Sequence, residues 1–526
     1  MRTASDEFAG HCLALTLLGS YLTDAHDGDI RHRKEVSERL SQDVRQGDHA
    51  RKVMESYQTW FGEGPELSVL RILGLFDRPA DENALNALRK QPAIKGLTES
   101  LTDLRPTEWQ TIIAKLRRAR LLAGEDPHHR RHLYTHPLVR EYFGKQLRKQ
   151  RTEAWKECNR RLFNHYRTIA PQLPNTFREM EPLFLAVISG CKAGLFHETL
   201  REVYFPRIQR GDASFAANVL GARGPLLTVL AHFFEHGRWG SPVQAGVGRQ
   251  TLTAEDQLFI LMQAGLYLTA TRGLGASEAL ICYKRAESLC HSLNRPLLLY
   301  STLIGQWRYS LMTDKLSATM DVAKRVYSLA QEQNDAALTI GAYRALAGTQ
   351  YFLGDFESCR QNAMNGLQIW RSGDIRSHAG DLLTPAVGCL YFGGLSEWHL
   401  GEINSCHSSM AHAISLAKEL NDMNALAVAL NSAAYLAHYE RDPIEVERLA
   451  SGLIELSTRH NFAFFLAGGK VLRGWARSAS GDTVEGLASV EDGIDNWQAT
   501  GAILVVPYYL ALKAEALSSA PYPRSS

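Results

Sequence analysis

From about residue 255 onward, apolar positions recur at helical spacing, and they are not confined to one face. In ALAVALNSAAYLAHY, residues 425–439, Ala, Leu and Tyr occupy several sides of the same helix. A helix of this kind has to be covered by neighbours on both flanks, as in a stack of helical hairpins. The stack is punctuated. Asn294, Asn334, Asp374, Asn421, Asn461 and Gly501 follow one another at intervals of 40, 40, 47, 40 and 40 residues. Asn, Asp and Gly are the residues that tolerate the left-handed conformation closing a helix. A second mark, acidic at its centre, falls inside each interval: Thr313-Asp314-Lys315, Gly354-Asp355-Phe356, Gly401-Glu402-Ile403, Arg441-Asp442-Pro443 and Gly481-Asp482-Thr483. Such a turn separates the two helices of a unit, and its acid can cap the second helix. Five residues past the start of each turn stand Ala318, Cys359, Cys406, Val446 and Gly486, modest in size as close helix packing requires. The pattern predicts an α-solenoid of about six helical hairpins over 251–516 and a disordered tail over 517–526. The additional residues of the long interval, around DIRSHAGDLL, read as a lengthened loop or helix, or as a loop that meets a partner.

Towards the N-terminus the order of signals changes. ELSVLRILGLFDRPAD and EWQTIIAKLRRARLL carry helical patterns, and the charged turn AGEDPHHRRH leads into LYTHPLVREYF. Helices followed by a small β-hairpin predict a winged-helix domain over 46–150, and the helical pattern beyond it predicts a helical linker domain over 151–250. The expected fold class is therefore mainly all-α: a winged helix, a helical linker and a solenoid.

Composition changes this picture little. In 526 residues, 45% are hydrophobic and 22% charged, and the formal net charge is +2, which excludes a mostly disordered chain and makes no demand for nucleic acid or membrane. The eight cysteines show no CxxC pair and read as core thiols of a reducing compartment. No secretory leader and no spanning run of apolar residues is apparent, so the expectation is cytoplasmic, with no membrane contact. The segment from Thr107 to Arg151 holds eleven Lys and Arg against four acids. Its basic residues Lys115, Arg117, Arg118 and Arg120 come late in their helix, whereas a recognition helix needs exposed polar residues early; they favour the helix C-terminus instead, which argues against nucleic acid.

No HExxH, GxSxG or GxxxxGK[ST] occurs. The expectation is a protein that is not an enzyme. TDAHDGDIRHR, with Asp24, His26, Asp27 and Asp29, lacks EF-hand spacing and reads as a polar turn, and no metal site is expected. His128, His129 and His132 read as a solvated turn, Trp475 and Trp497 as packing aromatics.

Two resemblances add to this. AYRALAGTQYFLGDFESCRQNAMNGLQIW, residues 342–370, resembles a tetratricopeptide unit, through Tyr343, Leu346 and Ala347 on the first helix, then Gly354-Asp355-Phe356 and Cys359. The period exceeds the usual ~34 residues, and residues 473–501 look like the C-terminal repeats of bacterial predicted ATPases. GHCLALTLLGSYL, residues 10–22, followed by the winged-helix-like segment, resembles the tail of the NB-ARC module of STAND signal-transduction ATPases, a bacterial regulator class here. That resemblance implies that 1–45 is a remnant of the module's helical domain. Gly10-His11-Cys12-Leu13-Ala14-Leu15 matches its GLPLAL-type segment, with Cys12 in place of proline. His136 matches the histidine that reaches the ADP phosphates, with Thr135-His136-Pro137 in place of Met-His-Asp. His136, His11 and Cys12 are thus nucleotide-contact candidates by resemblance, while His136 before Pro137 also suits a plain helix cap. Without a P-loop, ADP or ATP is expected only if an upstream NTPase or effector module supplies it. The expected role is a regulatory sensor that binds a protein or peptide through its repeats. A stand-alone tetratricopeptide adaptor and a winged-helix transcription regulator are the alternatives.

Overall fold

The computed structural model describes residues 11–33, 48–129, 131–244, 251–313, 316–371 and 383–518. Gly10, Asp314, Lys315, Asp374, most of the DIRSHAGDLL insertion and the tail beyond Ser518 lie outside them. The described residues up to Ile208 form one compact unit and those from Gln209 a second.

The first unit comprises helices α1 (Cys12–His26), α2 (Asp48–Phe61), α3 (Pro65–Leu73), α4 (Glu82–Arg89), α5 (Pro106–Arg118), α6 (Pro137–Gln150), α7 (Thr152–Ile169) and α8 (Phe177–Lys192), followed by a π-helical stretch, Thr199–Ile208. Three of these begin at proline, whose missing N–H would have had no partner in the first turn. Tyr57 of α2 is fully buried, with its hydroxyl 3.1 Å from the Leu17 carbonyl and 3.0 Å from that of Ala119, so one side chain ties α1, α2 and the end of α5. Just past α3, Gly74 meets Gly144 of α6 backbone to backbone, where a Cβ on either would overlap the other.

The expected β-hairpin is not formed. Among the described residues there is no strand; Leu133 instead makes a single antiparallel bridge with Ala80, with N–H···O distances of 2.9 Å each way, and the Ala123 N–H reaches the Tyr134 carbonyl at 2.9 Å. A hairpin is held by several cross-strand pairs over a buried face. Here the residues of the turn are Gly, Pro, histidine or charged, and the buried residues beside it, Leu121, Leu122, Leu133 and Thr135, lie at its two ends, so a single bridge remains.

After short helical turns at Gly211–Ala213 and Phe215–Asn218, the second unit has α9 (Arg223–Leu230) and continues as six helix pairs and a closing helix: α10 (Ala254–Arg272) with α11 (Ser277–Leu293), α12 (Pro296–Thr313) with α13 (Leu316–Gln333), α14 (Ala336–Leu353) with α15 (Phe356–Arg371), α16 (Pro385–His399) with α17 (Ile403–Glu419), α18 (Met423–Tyr439) with α19 (Pro443–His460), α20 (Ala463–Ala479) with α21 (Thr483–Ala499), and α22 (Val506–Ser518). Each helix packs on the next. This is a helical-repeat solenoid, with buried apolar clusters between successive pairs.

The punctuation has the conformation its residue types demand. Asn294, Asn334, Asn421, Asn461 and Gly501 have φ of 51°, 49°, 52°, 55° and 77°, the left-handed region that ends a helix. Of the acids inside the units, Asp355 and Asp442 cap their helices through the N–H groups of Ser358 and of Ile444 and Glu445. Glu402 and Asp482 make no side-chain cap; Glu402 instead pairs with Arg360 at 2.5 Å. Cys359, Cys406 and Val446 are fully buried as small packing residues. Ala318 is exposed, and its neighbour Thr319 takes the buried place.

Candidate functional site

The first helices of the pairs, α10, α12, α14, α16, α18 and α20, surround a cavity of about 520 Å³, and the segment Leu504–Tyr508 forms part of its wall. That volume lies within the range of small-ligand sites, roughly 300–1,000 Å³. Its surface is mostly apolar and rich in aromatic residues, among them Trp307, Tyr351, Phe356, Phe392, Phe464 and Trp497. These rings brace one another: Phe464 lies tilted by 40° against Trp497 with centroids 4.0 Å apart, and Phe356 lies parallel to the His399 imidazole at 4.1 Å. Such rings bury large apolar area with little rotamer freedom to lose.

Polar groups interrupt the wall at a few points. Arg344, 2% exposed, holds its guanidinium 5.2 Å from the Trp307 ring centroid, a cation facing a π surface. Arg308, Asn424, Asn431 and Ser432 also line the cavity. Beside it runs a chain of phenols. The Tyr351 and Tyr439 hydroxyls are 3.3 Å apart, those of Tyr435 and Tyr509 2.7 Å apart, and the Tyr508 hydroxyl is 2.6 Å from His438 Nδ1. Burial pushes the Tyr435 phenol up to about 12 and also raises Tyr351 and Tyr508, so all three stay protonated and keep an O–H to donate as well as an oxygen that accepts. Apolar and aromatic contact, a cationic contact and hydrogen bonding are therefore available to a bound molecule; no Cys, Asp or Glu is among the lining residues.

The residues singled out from the sequence sit elsewhere, in the first unit. His11 is the N-cap of α1, with its Nδ1 accepting from the Ala14 N–H at 3.3 Å, and Cys12 presents an exposed thiol. His136 is the N-cap of α6: its Nδ1 accepts from the Leu138 N–H at 3.2 Å, Pro137 takes the first helical position, and the side chain is exposed. Both imidazoles thus use Nδ1 as an acceptor, which places the proton of the neutral ring on Nε2. The basic run is engaged locally, Lys115 with Glu66 at 2.6 Å and Arg117 with Glu125 at 3.6 Å. Of the segment read as a polar turn, Thr23 to His26 is instead the last turn of α1 and Ile30–His32 a short 3-10 helix; His26 and His32 stack at 4.3 Å, and no metal-ligand group is found among the described residues. No described helix is long and apolar enough to cross a membrane.

Reading along the chain missed the cavity residues. The available signal was Asn431-Ser432 in the middle of ALAVALNSAAYLAHY, two polar residues that both prove buried. Trp497 does pack, 2% exposed, and lines the cavity as well.

No family model matches the chain. An uncharacterised protein of Rhizobium meliloti (strain 1021) is 22% identical over 275 residues, which is 51% of this chain and 26% of that protein's length. Among solved structures, a signal transduction ATPase with numerous domains (STAND) with a tetratricopeptide repeat sensor, from Pyrococcus horikoshii, aligns over 95% of this chain and 69% of its own with 13% identity and a TM-score of 0.35. BtubC from P. vanneervenii aligns over 52% and 96% with 13% identity and a TM-score of 0.30. A Rap protein complexed with competence and sporulation factor aligns over 72% and 97% with 10% identity and a TM-score of 0.39. All three superpose loosely, and the helical-repeat fold rests on the helix pairs themselves.

Proposed function

We propose that this chain is a regulatory sensor that captures a protein or peptide segment on the inner face of its repeats, and that its role is binding without catalysis. The observation that carries this reading is the aromatic-rich cavity of about 520 Å³, walled by the first helix of every pair with Phe356 and Trp497 added from second helices. A trigger works only through a difference in affinity between two states, and a wall contributed by many repeats is the place where small changes between pairs add up.

The resemblance to STAND regulators extends the proposal. The first unit would be the arm next to a nucleotide, with Nε2–H of His136 and His11 as donors toward phosphate and Cys12 beside them, and with ADP or ATP held by a P-loop from an upstream NTPase module. The location that goes with this reading is the cytoplasm.

Photo-crosslinking in the producing cell tests the inner-face reading. A benzophenone side chain at Phe356 is expected to give a defined adduct that the same group at Ile444 or Val484, 80% and 84% exposed on the turn side of their helices, does not give. Adducts from Ile444 and Val484 without any from Phe356 would sink it.

A further inference from the structure

The repeat array meets its own beginning. The turn after α10, Gly273 to Gly275, lies against the residues that follow α21, Thr500 to Ala502. A Cβ on Gly275 would overlap the Gly501 backbone, a Cβ on Gly501 would stand 2.5 Å from the Gly275 carbonyl oxygen, and one on Gly273 would overlap the Thr500 side chain. Glycine at 501 is the exception in a series whose other marks are Asn or Asp. Asn adopts the same left-handed conformation at Asn461, so the exception answers to the close approach. Immediately beyond, the Ile503 and Leu504 N–H groups donate to the Met312 carbonyl at 2.9 and 3.2 Å.

This seam borders the cavity. Ala270 and Leu274 on one side of it, and Leu504, Val505, Pro507 and Tyr508 on the other, belong to the cavity wall. It is built from three turn residues on each side, two backbone hydrogen bonds onto one carbonyl, and two apolar side chains that cross it, Leu504 against the core of α12 to α14 and Met312 against the core of the later pairs, whereas neighbouring pairs such as α20 and α21 share an extended buried core. Contacts of that kind open at lower free energy than core helices do.

We propose that the Gly273–Gly275 and Thr500–Ala502 seam, with the Met312 clasp, is a gate that controls access to the cavity, so that an occupant enters when the C-terminal end of the array parts from its start. This rests on the inner face being the ligand site, but its test needs no ligand. The probe is N-ethylmaleimide, applied to the full chain carrying Cys12→Ser, since the remaining native thiols are buried. Ser432→Cys places a thiol on the cavity wall, and Ser457→Cys places one in the core away from it. Wedges from opposite sides of the seam, Gly501→Val and Gly275→Ala, are expected to speed hydrogen exchange at the Ile503 and Leu504 amides and to speed labelling at position 432 by roughly tenfold. Labelling at 457 and the helical circular dichroism are expected to stay unchanged. Faster exchange at the seam with an unaltered rate at 432 overturns the gate, as do equal increases at 432 and 457 or no change at the seam amides. Each of those results leaves the inner-face reading to the crosslinking test.

Discussion

At the residue scale, His438 shows how burial sets chemistry beside the cavity. It is 5% exposed, its ring stands edge-on to Trp475 with centroids 4.4 Å apart, Tyr508 reaches its Nδ1, and the Glu515 carboxylate lies 3.8 Å from Nε2. Burial holds its pKa below the ordinary 6.5; Glu515 pulls the other way and Arg441 adds to the depression. The unfolded chain therefore takes up this proton at a higher pH than the folded chain does. Stability present above pH 6.5 is lost as the pH falls toward the folded value. Urea midpoints measured from about pH 7.5 down to about 5.5 should decline, and His438→Gln should flatten that decline; an identical slope in the variant would show that His438 has no part in it.

At the scale of elements, acids that immediately precede a helix look alike in sequence but differ in what they hold. Asp422 accepts from the Ala425 N–H at 2.9 Å through Oδ1, and through Oδ2 from the Thr384 N–H at 2.7 Å and the Thr384 hydroxyl at 2.8 Å. It thus caps α18 and pins the start of α16. Asp482 precedes α21 in the corresponding way and caps nothing with its side chain. Asp422→Ala should cost about 2–3 kcal/mol, a cap plus two further hydrogen bonds of which one partner is a buried threonine. Asp482→Ala should stay within about 0.5 kcal/mol. Equal losses in chemical denaturation would contradict this account of the caps.

On the scale of the whole molecule, a nucleotide switch needs a phosphate cradle, and the chain has no GxxxxGK[ST] to build one. His136 and His11 each have one ring nitrogen engaged as a helix cap, and the two remaining N–H donors are little to set against the hydration of a diphosphate. The chain by itself is therefore expected to show no rise in melting temperature with ADP and to release none on denaturation. A shift that His136→Ala abolishes would mean that the first unit holds nucleotide unaided, and would strengthen its assignment as the arm of a switch.

The periodic half was legible from residue types, because left-handed helix ends and small packing positions are local requirements. Asn294, Asn334, Asn421, Asn461 and Gly501 announce the repeat before any contact is known, and their φ values follow. The β-hairpin was not legible, because a charged turn followed by Leu133 is compatible with several cross-strand pairs or with the single bridge that forms. Whether Asp482 caps like Asp442 depended on side-chain rotamers that spacing does not specify.

What the sequence by itself determined is the helical hairpin, its period and its turns, since each depends on residues within one or two helical turns of one another. Only the tertiary structure decided that six first helices converge on one aromatic cavity, that Asn431, Ser432 and Trp497 stand on its wall, and that Gly501 is glycine because Gly275 lies against it. Those residues are brought together by small rotations accumulated from pair to pair, and no local pattern encodes that sum.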